Sequence, residues 1–180
     1  MSEPQGHRQT DCLAISDGAV ETAARALRDG RLVAFPTETV YGLGADACNA
    51  DAVAGIFAAK QRPSFNPLIS HVASIEAAFA LGRATPVAKL LAAAFWPGPM
   101  TLILKRQTGC PIARLTIAGL DRIALRVPAN VTARQLLRSF GGPVAAPSAN
   151  LSGRISPTRA EHVLEGLAGR IDIVLDGGRC

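Results

Sequence analysis

Leu32-Val-Ala-Phe-Pro-Thr-Glu-Thr-Val-Tyr-Gly-Leu-Gly44 is the stretch that best indicates the fold of this 180-residue chain. Its apolar start, residues 32–35, predicts a buried strand, and Pro36 ends that strand because proline fixes φ and has no backbone N–H. Polar side chains then crowd the strand end, namely Thr37, Glu38, Thr39 and Tyr41. Since ligands of α/β sheets bind beyond the carboxyl ends of strands, this segment is a candidate site. A strand-to-helix connection with a few satisfied hydroxyl groups would show the same pattern.

Short strands and helices are predicted to alternate along the chain before and after this stretch. Further strands are predicted at 68–72, 100–104, 123–127, 143–146 and 171–175. Helices are predicted after Asp17, from Asn49 or Asp51 to Lys60, at 75–81, from Pro86 to Phe95, from Asn130 to Phe140, and over 159–167 behind the capping-box pattern Thr158-x-x-Glu161. Residues 109–119 have no clear period and are expected to form a flexible connection. This alternation predicts an α/β fold with helices on a twisted, mixed sheet.

Composition limits the class of protein. An apolar content of 48% excludes a disordered chain, and no segment approaches the roughly 20 apolar residues of a membrane helix. The polar N-terminus lacks an apolar signal core, which predicts a cytoplasmic protein. Its four cysteines are far apart in sequence, so reduced thiols are expected rather than a zinc site or a disulfide framework. The net charge of +5 suits an anionic ligand as well as RNA.

Familiar motifs for nucleotide binding and hydrolysis are missing. Gly42-x-Gly44-x-x-Ala47 resembles a dinucleotide fingerprint, but it does not follow the strand directly, and the position where an acid is needed holds Arg62. The sequence has neither a phosphate-binding G-x-x-x-x-G-K-[ST] loop nor a G-x-S-x-G nucleophile elbow. A nucleotide would therefore be held by other residues.

Two basic segments are candidate anion sites. Lys60-Gln-Arg62 places a point charge and a planar guanidinium where a helix gives way to a proline-stiffened loop, and both suit phosphate oxygens. A helix C-terminus favoured by its dipole would look the same. Arg126 lies inside an apolar strand, so it requires an anionic partner, either a protein carboxylate or a ligand.

Two further segments carry polar groups that could bind a ligand. His71 lies in the middle of a predicted strand, where a core histidine with satisfied hydrogen bonds is the common alternative. Ser148-Ala-Asn150, continued by Ser152 and Ser156, offers hydroxyl and backbone N–H groups in a loop after a strand. Taken with the basic segments, these residues predict an anion-binding pocket rather than an acid–base pair.

As a set, five segments of this chain resemble the YrdC-domain family, the threonylcarbamoyl-AMP synthases. They are PTETVYGLG (36–44), KQRPSFNPL (60–68), WPGPMTL (96–102), ALRVP (124–128) and PSANLSG (147–153). The resemblance runs from Ala19 to about Gly178. It implies an open, strongly twisted mixed sheet with flanking helices around a concave, positively charged cavity. Residues 1–15 are then expected to be an N-terminal tail and residues 16–180 the catalytic domain, lacking the C-terminal strand or following domain of the family.

The resemblance also implies a reaction and a site. L-Threonine, bicarbonate and ATP, with Mg²⁺, would give threonylcarbamoyl-AMP and pyrophosphate, and a tRNA threonylcarbamoyl transferase complex would take over the product. By motif, threonine would be held by Thr37, His71 and Arg126, with Arg126 on its carboxylate. ATP would be held by Lys60, Arg62, Ser64, Ser148, Asn150 and Ser156, with help from Arg122. Lys60 and Arg62 would be catalytic, and no protein-held metal is expected.

Two other functions remain open on the sequence alone. The first is a carbamoyl-adenylate-forming module of a larger carbamoyltransferase. The second is a non-catalytic RNA-binding module that uses the same basic cavity, and even the synthase could bind tRNA or other RNA weakly. RNA binding through several phosphates would weaken steeply with salt, whereas ATP binding in a closed pocket would show a shallower salt dependence.

Overall fold

A computed structural model describes residues 9–180, over which strands and helices alternate as predicted. The strands are β1 (Asp11–Ala14), β2 (Val33–Pro36), β3 (Tyr41–Asp46), β4 (Ile69–His71), β5 (Leu102–Lys105), β6 (Arg122–Arg126), β7 (Val144–Ala145) and β8 (Ile173–Asp176). The helices are α1 (Asp17–Arg28), α2 (Ala50–Lys60), α3 (Ile75–Leu81), α4 (Pro86–Phe95), α5 (Val131–Phe140) and α6 (Ala160–Leu167).

These strands form one open sheet in the order β1-β8-β2-β3-β7-β4-β6-β5. The pairs β1–β8, β2–β8 and β4–β6 are parallel and the other pairs are antiparallel, which confirms the mixed sheet. Helices cover both faces, because one apolar cluster joins α1 and α5 to the sheet and a second joins α2, α3, α4 and α6 to it. The α/β class is therefore confirmed.

The stretch quoted first folds into a hairpin. Strands β2 and β3 pair from Val33 opposite Gly44 to Pro36 opposite Tyr41, so only residues 37–40 form the turn. Residues 41–44, predicted as part of a polar connection, are thus strand. Gly44 is required at its position, because a Cβ there would lie 2.8 Å from Cε1 of Phe35 and 2.9 Å from Cγ1 of Val144. The backbones can approach this closely only without a side chain.

The helix ends mostly follow the predicted caps. The side-chain oxygens of Asn49 and Asn130 accept hydrogen bonds from the first turns of α2 and α5. The first helix is instead capped by Ser16, one residue before the predicted Asp17. The capping box at Thr158 does not form, since α6 is preceded by Arg159 without a side-chain cap. A capping pattern works only when tertiary packing starts the helix at that residue.

Two expectations about irregular segments are wrong. Within the expected tail of residues 1–15, residues 11–14 form the edge strand β1 along β8, while residues 1–8 lie outside the described part. Most of its side chains are exposed, so the strand rests on backbone hydrogen bonds and carries little apolar signal. The expected flexible connection of residues 109–119 packs Ile112 and Ile117 into the core, and its buried Thr116 hydroxyl donates to the carbonyl of Ala47 at 2.9 Å.

Membrane insertion finds no support in the helices. Within residues 9–180, none of them combines the length and the apolar character needed to cross a bilayer.

Candidate functional site

The turn of the β2–β3 hairpin is organised by Thr37. Its buried hydroxyl donates to the carbonyl of Val40 at 2.7 Å and accepts from the N–H of Thr39 at 3.2 Å. The hydroxyl of Thr39 lies 3.1 Å away. Thr37 was predicted to hold threonine, and in this structure its hydroxyl is engaged within its own turn. That engagement fixes the direction of the next side chain, Glu38.

Glu38 is the anionic partner of Arg126. The guanidinium donates to Oε1 of Glu38 from Nε at 3.1 Å and also from Nη2, while Oε2 accepts from the backbone N–H of Ala129 at 3.1 Å and of Asn130 at 3.4 Å. The sequence left either a protein carboxylate or a ligand as the partner of Arg126, and in the structure a protein carboxylate is bound. The Nη1 edge of Arg126 makes no hydrogen bond with residues 9–180 and stays available.

Burial and the surrounding hydrogen bonds and charges shift the pKa of Glu38 in opposite directions. Burial alone would raise the pKa of this carboxyl, but the hydrogen bonds from Arg126 and the backbone N–H groups lower it below its usual value. The side chains of Arg126 and Glu38 are only 10% and 18% exposed, so the pair is shielded from salt far more than a surface pair.

His71 lies beside Arg126. The two residues are register partners at the carboxyl ends of the parallel strands β4 and β6. Burial, and then the positive charge of Arg126, lower the pKa of His71 to about 4, so the imidazole is neutral at pH 7. Its ring also meets that of Phe35 edge to face, with the centroids 6.3 Å apart. The strand ends thus place a neutral hydrogen-bonding ring next to a guanidinium.

Lys60 is buried at the end of α2, as its place in the apolar stripe predicted. Its ammonium group donates to the backbone carbonyls of Ser148 and Asn150. Burial, and to a lesser extent the nearby charge of Arg62, lower the pKa of Lys60 to about 8. Lys60 therefore ties the loop after β7 to α2, and one of its three N–H groups remains for a ligand.

The loop after β7 borders a cavity of about 750 Å³. Asn150 and Ser156, both predicted to hold ATP, line it together with Arg154, and His162 and Glu165 of α6 close its other side. The side-chain amide of Asn150 donates to the carbonyls of Leu151 at 2.8 Å and Arg154 at 2.9 Å, which shapes the loop. A cavity of this size is in the range of small-molecule sites.

The hairpin connects the two groups of residues. Gly42 of β3 forms a bridge with Ser148, and the N–H of Leu43 donates to the carbonyl of Pro147 at 2.8 Å. The N–H of Ala149 donates in turn to the carbonyl of Tyr41 at 2.8 Å. The loop that Lys60 binds therefore lies directly along the strand that follows Glu38. The predicted threonine residues and most of the predicted ATP residues flank one hairpin.

The remaining predicted site residues are Arg62, Ser64 and Arg122. Arg62 and Ser64 lie in the loop after α2, with Ser64 exposed and Nε of Arg62 buried without a hydrogen bond to the described residues. Arg122 lies apart from Arg126. It opens β6 whereas Arg126 closes it, about 13 Å away for four residues of strand, and its nearest ion-pair partner is Asp121 at 4.0 Å. Both arginines share a strand, but sequence position alone does not bring them to the same end.

Two residues of the candidate segment, Glu38 and Tyr41, were named on sequence grounds but given no role. The anion that Arg126 requires could have identified Glu38 as its partner. Tyr41 is fully buried, its hydroxyl donates to the carbonyl of Gly178 at 2.7 Å, and it accepts from the N–H of Gly177 at 3.1 Å. Burial raises the pKa of Tyr41 to about 12, so it stays a phenol that fixes the segment after β8.

Metal ligands do not cluster in the described part of the chain. Within residues 9–180, no three His, Cys, Asp or Glu side chains lie together in a way that could hold a metal ion.

Comparison with known proteins places the chain in a family. The model of the Sua5_yciO_yrdC family, described as telomere recombination, matches residues 25–180. The chain belongs to this family. It is 52% identical over 170 residues to a threonylcarbamoyl-AMP synthase of Bacillus subtilis and 49% identical over 165 residues to one of Pyrococcus abyssi, covering 94% and 91% of this chain.

A solved member of the family has the same fold. The crystal structure of Pyrococcus abyssi Sua5 complexed with L-threonine superposes with a TM-score of 0.88 at 46% identity, covering 95% of this chain and 50% of that one. The chain spans about half the length of these relatives, 49% of the Bacillus subtilis protein and 48% of the Pyrococcus abyssi synthase. The open mixed sheet with flanking helices that the five segments implied is thereby confirmed.

Proposed function

We propose that this chain forms threonylcarbamoyl-AMP and pyrophosphate from L-threonine, bicarbonate and ATP. The observation that supports it most directly is the free Nη1 edge of Arg126 beside the neutral ring of His71. This arrangement suits an amino-acid carboxylate next to a hydroxyl group. The same function is supported by the two synthases at about 50% identity and by the threonine complex of Pyrococcus abyssi Sua5.

In the amino-acid half of the proposed site, the Nη1 edge of Arg126 binds the threonine carboxylate through a charge-assisted hydrogen bond. Glu38 keeps the guanidinium from rotating away, because it occupies Nε and Nη2. His71 is the register partner of Arg126, and Thr37 lies in the turn that carries Glu38. The neutral imidazole can donate or accept a hydrogen bond with the threonine hydroxyl. A charged imidazole would instead repel Arg126, which the low pKa of His71 avoids.

In the nucleotide half, cations and small polar groups surround the phosphates of ATP. These residues are Lys60, Arg62, Ser64, Ser148, Asn150 and Ser156. Lys60 and Arg62 supply the positive charge and are the catalytic pair, because charge that develops on the leaving pyrophosphate needs preorganised cations. Arg122, at the far end of β6, is left out of this half.

The reaction needs positioning more than proton transfer. The threonine ammonium group first loses a proton to water. The resulting amine and bicarbonate give a carbamate with loss of one water, and a carbamate oxygen then attacks the α-phosphorus of ATP. The P–O bond to the β-phosphate breaks, and its electron pair leaves with pyrophosphate. Because the carbamate is already an anion, no strong base is required, and holding the reactants together can lower the barrier by about 7–11 kcal/mol.

Magnesium would enter with the substrate. Mg²⁺ in such sites is commonly held by substrate phosphates with one or two carboxylates. The carboxylate of the hairpin, Glu38, already accepts hydrogen bonds from Arg126 and from two backbone N–H groups. The carboxylate of Glu38 is therefore occupied, and ATP is proposed to arrive as its magnesium complex.

The cellular setting is part of the proposal. The reaction would take place in the cytoplasm, and the labile product would pass to a tRNA threonylcarbamoyl transferase complex. Exclusion of water would protect both the carbamate and the mixed anhydride before that transfer.

Pyrophosphate release tests the function directly. With ATP and bicarbonate, release should require L-threonine and should be much slower with L-serine or with GTP. A carbamoyl-adenylate-forming module would not depend on threonine, so threonine-independent release would refute the proposal. Arg126→Lys should raise the KM for threonine at least tenfold because lysine cannot be held by Glu38 in the same way. Arg25→Lys, an exposed change on α1, is the matched control and should leave KM unchanged.

A further inference from the structure

A groove with two hollows lies between α3 and α5. The first, the cationic hollow, has a volume of about 400 Å³ and is lined by the start of α3 and by Arg134 and Arg138 of α5. The second, the apolar hollow, has a volume of about 450 Å³ and is lined mainly by small and apolar residues, among them Ala77, Ala80, Leu81 and Leu137. Ala73 and Arg138 line both hollows, so the two are parts of one groove. None of the residues proposed to bind threonine or ATP lines either hollow.

The two arginines of the cationic hollow have no anionic partner in the described part of the chain. Arg134 and Arg138 are one turn apart on α5, and like charges at this spacing destabilise a helix. Within residues 9–180, neither guanidinium forms a hydrogen bond or an ion pair, and Nε of Arg134 is buried without a partner. A buried donor that is left unsatisfied costs free energy. The arrangement is therefore unfavourable for the chain alone, and an anion between the two arginines relieves it.

Glu76 is the acid among the residues that line the cationic hollow. Hydrogen bonds from its own backbone N–H and from Ser74 lower the pKa of this exposed carboxyl. Its carboxylate therefore stabilises the first turn of α3 rather than an arginine of α5. With two guanidinium groups and one carboxylate, the cationic hollow keeps a net positive charge.

The shape of the groove indicates what carries the anion. Arg134 borders the cationic hollow and Gly141 the apolar one, so the groove extends about 10 Å along α5 at 1.5 Å per residue. Each hollow has the volume of a small-molecule site. The walls of the apolar hollow, with Leu81 on one side and Leu137 on the other, can cover an aliphatic chain. A slender ligand with its charge at one end matches both hollows.

We propose that this groove binds a carboxylate with an aliphatic chain of medium length. The carboxylate lies between Arg134 and Arg138, because guanidinium groups bind carboxylates through charge-assisted, often bidentate hydrogen bonds. The chain lies between α3 and α5, where its apolar surface is removed from water. Val72 and Val127 line the groove and directly follow His71 and Arg126, so the ligand lies next to the strand ends that carry the candidate site. The inference does not rest on the synthase proposal, because binding requires neither threonine nor ATP.

A first pair of variants tests the charge of the groove. Arg134→Gln/Arg138→Gln removes both cations of the cationic hollow. Arg25→Gln/Arg31→Gln is the matched control, since it removes two exposed arginines at α1 and the turn after it that line neither hollow.

A second pair of variants tests the volume of the groove. Ala77→Leu adds a branched side chain to the wall of the apolar hollow. Ala93→Leu adds the same atoms to the exposed surface of α4 and is the matched control.

The measurement is isothermal titration calorimetry of sodium octanoate below its micelle concentration. We expect one site per chain, with affinity at least about tenfold weaker in each groove variant and unchanged in the two controls. Acetate lacks the chain and 1-octanol lacks the charge, so both should bind at least about tenfold more weakly than octanoate. Absence of octanoate binding to the wild-type chain would overturn the proposal. So would equal affinity for 1-octanol, or full octanoate affinity in Arg134→Gln/Arg138→Gln, since either result would place the ligand away from the two arginines.

Discussion

Glu38 and Arg126 are held together by two hydrogen bonds to one oxygen, from Nε at 3.1 Å and from Nη2, although 88 residues separate them in the chain. The second oxygen of Glu38 accepts from the N–H of Ala129 at 3.1 Å, just before α5. This carboxylate therefore joins the hairpin, the end of β6 and the start of α5. In the proposed site, it also decides which edge of the guanidinium faces the substrate.

Replacing Glu38 by glutamine tests this positioning. Glu38→Gln removes the charge from a largely buried pair and should lower the free energy of unfolding by about 2–3 kcal/mol. The KM for threonine should rise by tenfold or more, with a smaller change in kcat, because the guanidinium is no longer held. Chemical denaturation and steady-state kinetics measure the two effects. Glu21→Gln is the control, since Glu21 and Arg28 form an exposed pair whose loss should change little. An unchanged KM in a folded Glu38→Gln protein would contradict the positioning role.

The low pKa of Lys60 predicts how ATP binding depends on pH. Lys60 has a pKa of about 8, so its positive charge is present below pH 8 and is lost as the pH rises above it. ATP affinity, measured by calorimetry without threonine, should therefore fall about 10- to 100-fold between pH 7 and pH 9.5, as expected for losing a charged hydrogen bond. In Lys60→Arg, which stays protonated in this range, the fall should disappear. Constant wild-type affinity across the range would show that Lys60 does not bind the phosphates.

Buried His71 predicts a loss of stability in acid. Its pKa is lowered from 6.5 to about 4, so between these values the unfolded chain binds a proton that the folded chain does not. The contribution is present above pH 6.5 and is lost as the pH falls towards 4, by about 3 kcal/mol in total. Urea denaturation at intervals from pH 7 to pH 4 measures it. The loss should be smaller in His71→Gln and unchanged in His162→Gln, which alters an exposed histidine of α6. The same acid dependence in both variants would assign the effect to other groups.

Alanine substitutions at Gly44 in the hairpin and at Gly55 in α2 should change the free energy of unfolding in opposite directions. Gly44→Ala would place a Cβ 2.8 Å from Phe35 and 2.9 Å from Val144, and should lower the free energy of unfolding by about 1–3 kcal/mol. Gly55→Ala in α2 meets Leu32 only at 3.5 Å or more, and should raise stability by about 0.5–1 kcal/mol through helix propensity. Thermal and urea denaturation of both variants provide the comparison. A neutral Gly44→Ala would mean that β2 and β7 can move apart without cost.

The sequence by itself determined the α/β class, most strand and helix positions, and the segments that carry the site. It did so because apolar periodicity and caps are local signals, and because Arg126 in an apolar strand and Lys60 on an apolar stripe each demand a buried partner. The five family segments then identified the family. Local signals failed for β1, whose exposed side chains leave only backbone pairing, and at Thr158, where the capping box goes unused.

Only the tertiary structure decided which charges meet. It paired Glu38 with Arg126, gave the Lys60 ammonium group to the carbonyls of Ser148 and Asn150, and separated Arg122 from Arg126 by the length of β6. These outcomes depend on strand order and register, and the contacts join residues up to 90 positions apart. Electrostatic energy falls with distance in space, not along the chain, so a sequence can show that a buried charge needs a partner without showing which one it finds.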